Sequence, residues 1–164
     1  MRSSLYGGLA VAAILTVGLV LVACGSSNDN STTSTTAALS KTAFLKQGNA
    51  ICKKGNQQIN AAAHKAFPKG SGKPTKADEA KFAAILIPTV QTEIDGVKAL
   101  GAPTGDEAKV KAIVDSAQAA LDKAKADPTI LFQNSTDPFA KSNKLTNAYG
   151  LTACGGGGGG GGNG

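Results

Sequence analysis

The chain has no tryptophan, one arginine and one histidine, and its five Phe and two Tyr bring aromatic residues to only 4% of 164 positions. Each scarcity removes a class of function. Bidentate guanidinium forks dominate base and phosphate recognition, and aromatic platforms stack single strands. The one arginine is Arg2, so the formal net charge of +6 is carried by lysine. A nucleic-acid partner is therefore not expected, and the lysines read as solvated surface. The one histidine, His64, falls near the end of a helical pattern beside Lys65. Without a recognisable nucleophile and orienting acid it builds no triad, and no G-x-S-x-G motif is present. One histidine and no Asp/Glu cluster of ligand spacing leave metal ligation unsupported, and no cofactor is expected. The carboxylates have ordinary roles: Asp78-Glu79 and Asp106-Glu107 fall in first helical turns, where they favour the helix dipole. Glu93 and Asp95, two apart, do not face each other on a helix, so a paired-carboxylate site is not expected there. The glycine run Gly155 to Gly162 lacks the strand, lysine and helix of a phosphate loop. These exclusions make the chain a non-enzyme by expectation.

Large apolar residues are also scarce. Hydrophobic residues make up 41% of the chain, but many are alanine, which buries little area. A length of 164 residues suits one domain, whose thin core calls for a covalent staple.

What the chain does have begins at its N-terminus. Arg2 precedes an apolar stretch from Leu5 to Val22, which ends at Leu21-Val22-Ala23-Cys24. This end resembles the bacterial lipobox: an aliphatic residue, a tolerant position, a small residue and a cysteine. The resemblance implies diacylglyceryl transfer to the Cys24 thiol, removal of residues 1–23 as a lipoprotein signal peptide, and acylation, as by palmitate, of the new terminus. About 18 apolar residues also just span a bilayer, so the alternative is an uncleaved membrane helix, which leaves the placement of Cys24 unexplained. Two or more acyl chains make a stable anchor, which places the domain at the extracytoplasmic face of the cell membrane. Residues 24–38 form a Ser/Thr-rich tether with no means of building a core; its reading is an unmodified linker, with O-linked sugar on its threonines as the alternative. Residues 155–164, almost all glycine, are expected to be a disordered tail.

Residues 39–154 carry four helical patterns and no convincing strand, which predicts an all-α, antiparallel four-helix bundle. The first starts at the N-cap Ser40, and Phe44, Gly48, Ile51, Cys52, Gly55, Ile59, Ala62, Ala63 and Ala66 share one face. Pro68 to Pro74 is a breaker-rich loop. The second opens with Thr75 and Asp78 as a capping box and runs through Phe82, Leu86, Val90, Ile94 and Val97 to about Leu100. Pro88 lies inside it and predicts a kink or two abutting helices. The third opens at Thr104 with Glu107 as its capping box and carries Val110, Ile113, Val114, Ala117, Leu121 and Ala124. Asp127-Pro128 stops it, and Ile130, Leu131 and Phe132 tuck against the bundle. Asp137 and Pro138 read as N-cap and first residue of a short fourth helix, closed by Tyr149-Gly150-Leu151.

Three cysteines cannot all pair within the chain. With Cys24 lipidated, an exported protein leaves one pairing, Cys52–Cys154. Loop entropy over the segment so closed suggests roughly 4–5 kcal/mol.

Together, Ala50-Ile51-Cys52, Ala102-Pro103-Thr104-Gly105-Asp106-Glu107, Leu121-Asp122-Lys123 with Asp127-Pro128, and Tyr149 to Cys154 resemble small actinobacterial lipoproteins of unknown function. The resemblance covers most of residues 39–155. It implies an exported helical domain with a cysteine near each end, and no catalytic residue. Two functions fit. One is a monomeric, membrane-tethered binding module for an envelope protein or wall polymer. The other is a carrier of a small apolar ligand between helices, with Ile85-Leu86-Ile87 and Pro88 opening the gap.

Overall fold

The computed structural model describes residues 38–70, 72–133 and 137–156. The expected signal peptide, Cys24, all but the last residue of the tether and the tail from residue 157 lie outside the described residues. Among those described, the chain is all-helical. It comprises α1 (Lys41–Ala66), α2 (Lys76–Ala99), α3 (Glu107–Ala126), a short 3-10 helix (Pro128–Phe132) and α4 (Ala140–Tyr149), with no strand.

Ser40 caps α1 by accepting from the Ala43 N–H at 3.2 Å. The helix then buries Phe44, Gly48, Cys52, Gly55, Ile59 and Ala62, which steps of three and four place on one face. Thr75 and Asp78 form the reciprocal capping box of α2. Pro88 lies inside α2, which runs as one helix and not as two abutting ones. Its ring removes the donor for the Ala84 carbonyl, on an exposed turn. Around it Thr89 Oγ1 donates to the Ile85 carbonyl at 2.7 Å and Thr92 Oγ1 to the Pro88 carbonyl at 2.9 Å.

Two helix starts differ from the sequence expectation. Thr104 does not cap α3; Asp106 holds the N-cap position and makes no side-chain cap bond. Its carboxylate is drawn instead to Lys109, Lys41 and the Tyr149 hydroxyl, while Glu107 Oε1 accepts from the Gly105 N–H at 3.0 Å. The fourth helix starts at Ala140, because Asp137 spends its carboxylate on the Phe139 N–H at 2.8 Å and so closes a turn first. Its end is as read. Gly150 takes φ 106°, the Leu151 N–H reaches the Thr146 carbonyl at 2.8 Å, and Leu151 is fully buried.

α1 packs on α2, α2 on α3 and α3 on α4, and the 3-10 helix lies against α2 and α3. One core cluster gathers Phe44, Cys52, Val97, Ile113, Tyr149 and Leu151; a second gathers Ile59, Leu86, Val90, Ile94, Leu121 and Phe139. After α4 the chain runs onto α1, where Leu151 occupies the space that a side chain at Gly48 would need. Asn49 donates to the Gly150 carbonyl at 3.0 Å and accepts from the Ala153 N–H at 2.8 Å; Asn56 donates to the Ala153 carbonyl at 2.7 Å. Between these asparagines lies the Cys52–Cys154 disulfide, with Cα atoms 5.0 Å apart. Gly155, read as the first tail residue, is buried and accepts from Asn147 Nδ2 at 3.3 Å.

Candidate ligand pocket

A cavity of about 60 Å³ lies where α2, α3, α4 and the disulfide meet. Val90, Ile94, Val97, Ile113 and Val114 give it apolar walls, and Glu93, Ser142, Asn143 and Thr146 supply its polar atoms. Cys52 and Cys154 line it from the side of α1. Glu93, Asn143 and Cys154 are half-buried and Ser142 and Thr146 fully buried, so the cavity grades from a sealed interior to a solvent-facing rim.

Glu93 is its one ionisable group. Oε1 is shut off from solvent, and no donor among the described residues reaches it. Burial penalises the charged form and pushes the Glu93 carboxyl up to about 7. A glycine makes this placement possible: a Cβ at Gly55 would stand 1.8 Å from Oε1 and 2.5 Å from Cδ. The carboxyl of α2 thus lies directly on the backbone of α1, one turn beyond Cys52.

The hydroxyls opposite are already committed as donors. Ser142 Oγ donates to the Phe139 carbonyl at 2.9 Å, and Thr146 Oγ1 to the Ser142 and Asn143 carbonyls, both at 3.0 Å. Each keeps only lone pairs for the cavity. Asn143 gives one of its two amide N–H groups to Asp137 at 3.0 Å, which leaves its second N–H and its oxygen. Apart from the second Asn143 N–H, the polar lining is therefore composed of acceptors.

A second ionic cluster is structural. Asp106 accepts from Lys109 at 2.6 Å, from Tyr149 OH at 3.0 Å, and pairs with Lys41 at 3.3 Å, while Lys41 sits 4.6 Å over the Tyr149 ring. Chiefly through the Lys109 hydrogen bond, this holds the Asp106 carboxyl down at about 2. Burial, and then the hydrogen bond to Asp106, push Tyr149 up to about 12. The cluster ties the starts of α1 and α3 to the end of α4.

Of the candidate site residues singled out from sequence, the structure brings together Cys52 and Cys154. His64 is exposed on α1, Asp78 caps α2, and Glu79 pairs with Lys76 at 2.8 Å. Asp95 is exposed and accepts from Gln91 at 3.0 Å, away from Glu93. Cys24 lies outside the described residues. The functional candidate that sequence reasoning passes over is Glu93 as a single residue. Its signal was available: it falls three residues after Val90 and four before Val97, on the apolar stripe of α2. A charge on a buried stripe, facing a helix with glycine on its own stripe, marks a buried carboxyl. Pairing it only with Asp95 does not find it.

Among the described residues no group of His, Cys, Asp and Glu could hold a metal ion, and no helix is long and apolar enough to cross a membrane. Comparison of the chain with protein-family models, with curated proteins and with solved structures gives no match.

Proposed function

We propose that this is a lipid-anchored protein of the cell envelope whose helical domain is a non-catalytic binding module, using the Glu93 cavity to engage another envelope component. The observation that carries this reading is a half-buried carboxyl, its Oε1 buried without a partner, held over Gly55 in a partly apolar cavity. Such a group costs stability, so a fold that builds a cradle for it has a use for it at the cavity. An acid without a neighbouring nucleophile or base is equipped to bind and not to turn over. The Leu21-Val22-Ala23-Cys24 sequence supplies the anchor, and the likeness to actinobacterial lipoproteins agrees with export. The successive packing of α1 to α4 supports an antiparallel bundle, and the missing donor at Ala84 supports a bend of α2 at Pro88. The alternative, a carrier of an apolar ligand, draws less support from a cavity of about 60 Å³ that contains a carboxyl.

The test is membrane fractionation combined with capture. The wild-type chain should sediment with membranes, with a mass lacking residues 1–23. Cys24→Ser should release it or leave the precursor uncut. Capture of an envelope partner should weaken when Ala117, on the cavity wall, is changed to Leu. An intact Met1 on the membrane-bound protein, or capture indifferent to the cavity substitution, would overturn the reading.

A further inference from the structure

We infer that the Glu93 cavity is a site for a primary alkylammonium group, whose nitrogen bonds the Glu93 carboxylate while its stem lies against Val90, Ile94 and Val114. The assignment rests on the binding-module reading and deepens it by naming the ligand class. It follows from the polarity of the lining. Ser142 and Thr146 have spent their hydroxyl hydrogens on carbonyls of their own helix, Asn143 has given one N–H to Asp137, and Oε1 of Glu93 has no donor. Glu93, Ser142, Thr146 and Asn143 present acceptors, and the one donor left among them is the second Asn143 N–H. A carboxylate or phosphate ligand finds that single N–H and the charge of Glu93 against it, and an alcohol satisfies one acceptor. An ammonium brings three donors, no acceptor, and the charge that a half-buried carboxylate lacks.

Size agrees. At about 10–15 Å³ for each water-sized group, a cavity of about 60 Å³ has room for roughly four, an ammonium nitrogen and a stem of about three carbons. Apart from Glu93 no lining residue from α2, α3, α4 or the segment after α4 carries charge, and the two cysteines are bonded to each other. Asp137 stands behind Asn143 and adds a second negative charge at the rim. No lysine lines the cavity, so none of the chain's own ammonium groups fills the role there.

The ligand and the carboxyl must titrate together. Glu93 ionises near neutral pH and an alkylammonium stays protonated well above it, so affinity should rise with pH through about 7. Calorimetry with propylammonium chloride and the full chain in detergent should give binding about 10-fold or more tighter at pH 8 than at pH 5.5. The 13C signal of the Glu93 carboxyl should titrate at lower pH when ligand is bound. Glu93→Gln should abolish binding and its pH dependence, and Ala117→Leu should block binding while leaving Glu93 titratable, which shows that the domain is folded. Equal binding of 1-propanol, propylammonium binding retained by Glu93→Gln, or no response of the Glu93 carboxyl to propylammonium would each overturn the assignment. Nα-acetyl-lysinamide and butane-1,4-diamine separate the sources: binding of the first identifies a lysyl side chain of a polypeptide, and binding of the second alone a free amine. Failure here with Cys24→Ser still released from membranes removes the ammonium site and leaves the anchor. Ammonium binding without anchoring at Cys24 does the reverse.

Discussion

Gly55 and Glu93 form a pair in which each residue explains the other. Glycine on a helix interior costs about 1 kcal/mol against alanine, which a buried position on α1 must justify. The justification is spatial: the Glu93 side chain fills the place where a Cβ would stand, with Cγ at 2.8 Å and Cδ at 2.5 Å from it. Gly55→Ala therefore forces the whole carboxyl end of Glu93 out toward the rim. With burial the first cause of its displaced titration, Glu93 in this variant should titrate well below 7, toward its ordinary value of 4.5. Carboxyl 13C NMR checks this directly, and titration that stays near 7 would show that Gly55 is not what allows the carboxyl in. The helix-propensity gain and the lost packing oppose each other in this variant, so the titration and not the melting temperature is the measurement to trust.

At the scale of elements, legibility in the sequence followed the physics of each signal. The buried face of α1 was readable because burial there depends on period alone, and Phe44, Gly48, Cys52, Gly55, Ile59 and Ala62 all lie inward. The starts of α3 and α4 were not, because caps are decided by competition. Asp106 leaves its helix for Lys41 and Tyr149, partners far from it in sequence, and Asp137 closes a turn before it can cap α4. The pocket was the least legible feature, since it depends on five segments meeting. α4 should also be the least independent helix. Ten residues are too few to persist without tertiary support. Its support comes from α3 and from the segment after it, which the disulfide and Asn49 fasten to α1. Reduction should thus speed amide exchange in α4 more than in α2 or α3; equal protection of α4 with and without reductant counts against this dependence. Asn49→Ala, which loses two hydrogen bonds to the same segment, should cost about 1–2 kcal/mol by denaturant unfolding and loosen α4 in the same order.

Across the whole molecule the displaced carboxyls act in opposite senses, so they shape how stability depends on pH. Asp106, held at about 2 against an ordinary 3.8, contributes stability that is present above its unfolded value and is lost as pH falls through about 2. Asp78 and Asp127 are also held low, each first by the hydroxyl that it accepts from, Thr75 and Thr129, and add to the same acid limb. Glu93 is the reverse case. Its folded value is raised to about 7 from 4.5, so its contribution is full below 4.5 and is lost as pH rises through 7, where the folded chain must hold a buried charge. The wild-type domain should therefore be more stable near pH 4.5 than at pH 8, by about 1–2 kcal/mol from this group once solvent screening at its exposed side is allowed for. His64 is exposed on α1, away from the cavity. Glu93→Gln keeps the shape and removes the titration. It should match the wild type near pH 4.5, exceed it at pH 8, and flatten the slope between them. Urea unfolding of the full chain at both values gives the comparison. A wild-type slope that survives the substitution would assign the loss to another group, whereas its disappearance fixes the cost of the carboxyl that the ammonium ligand is proposed to relieve.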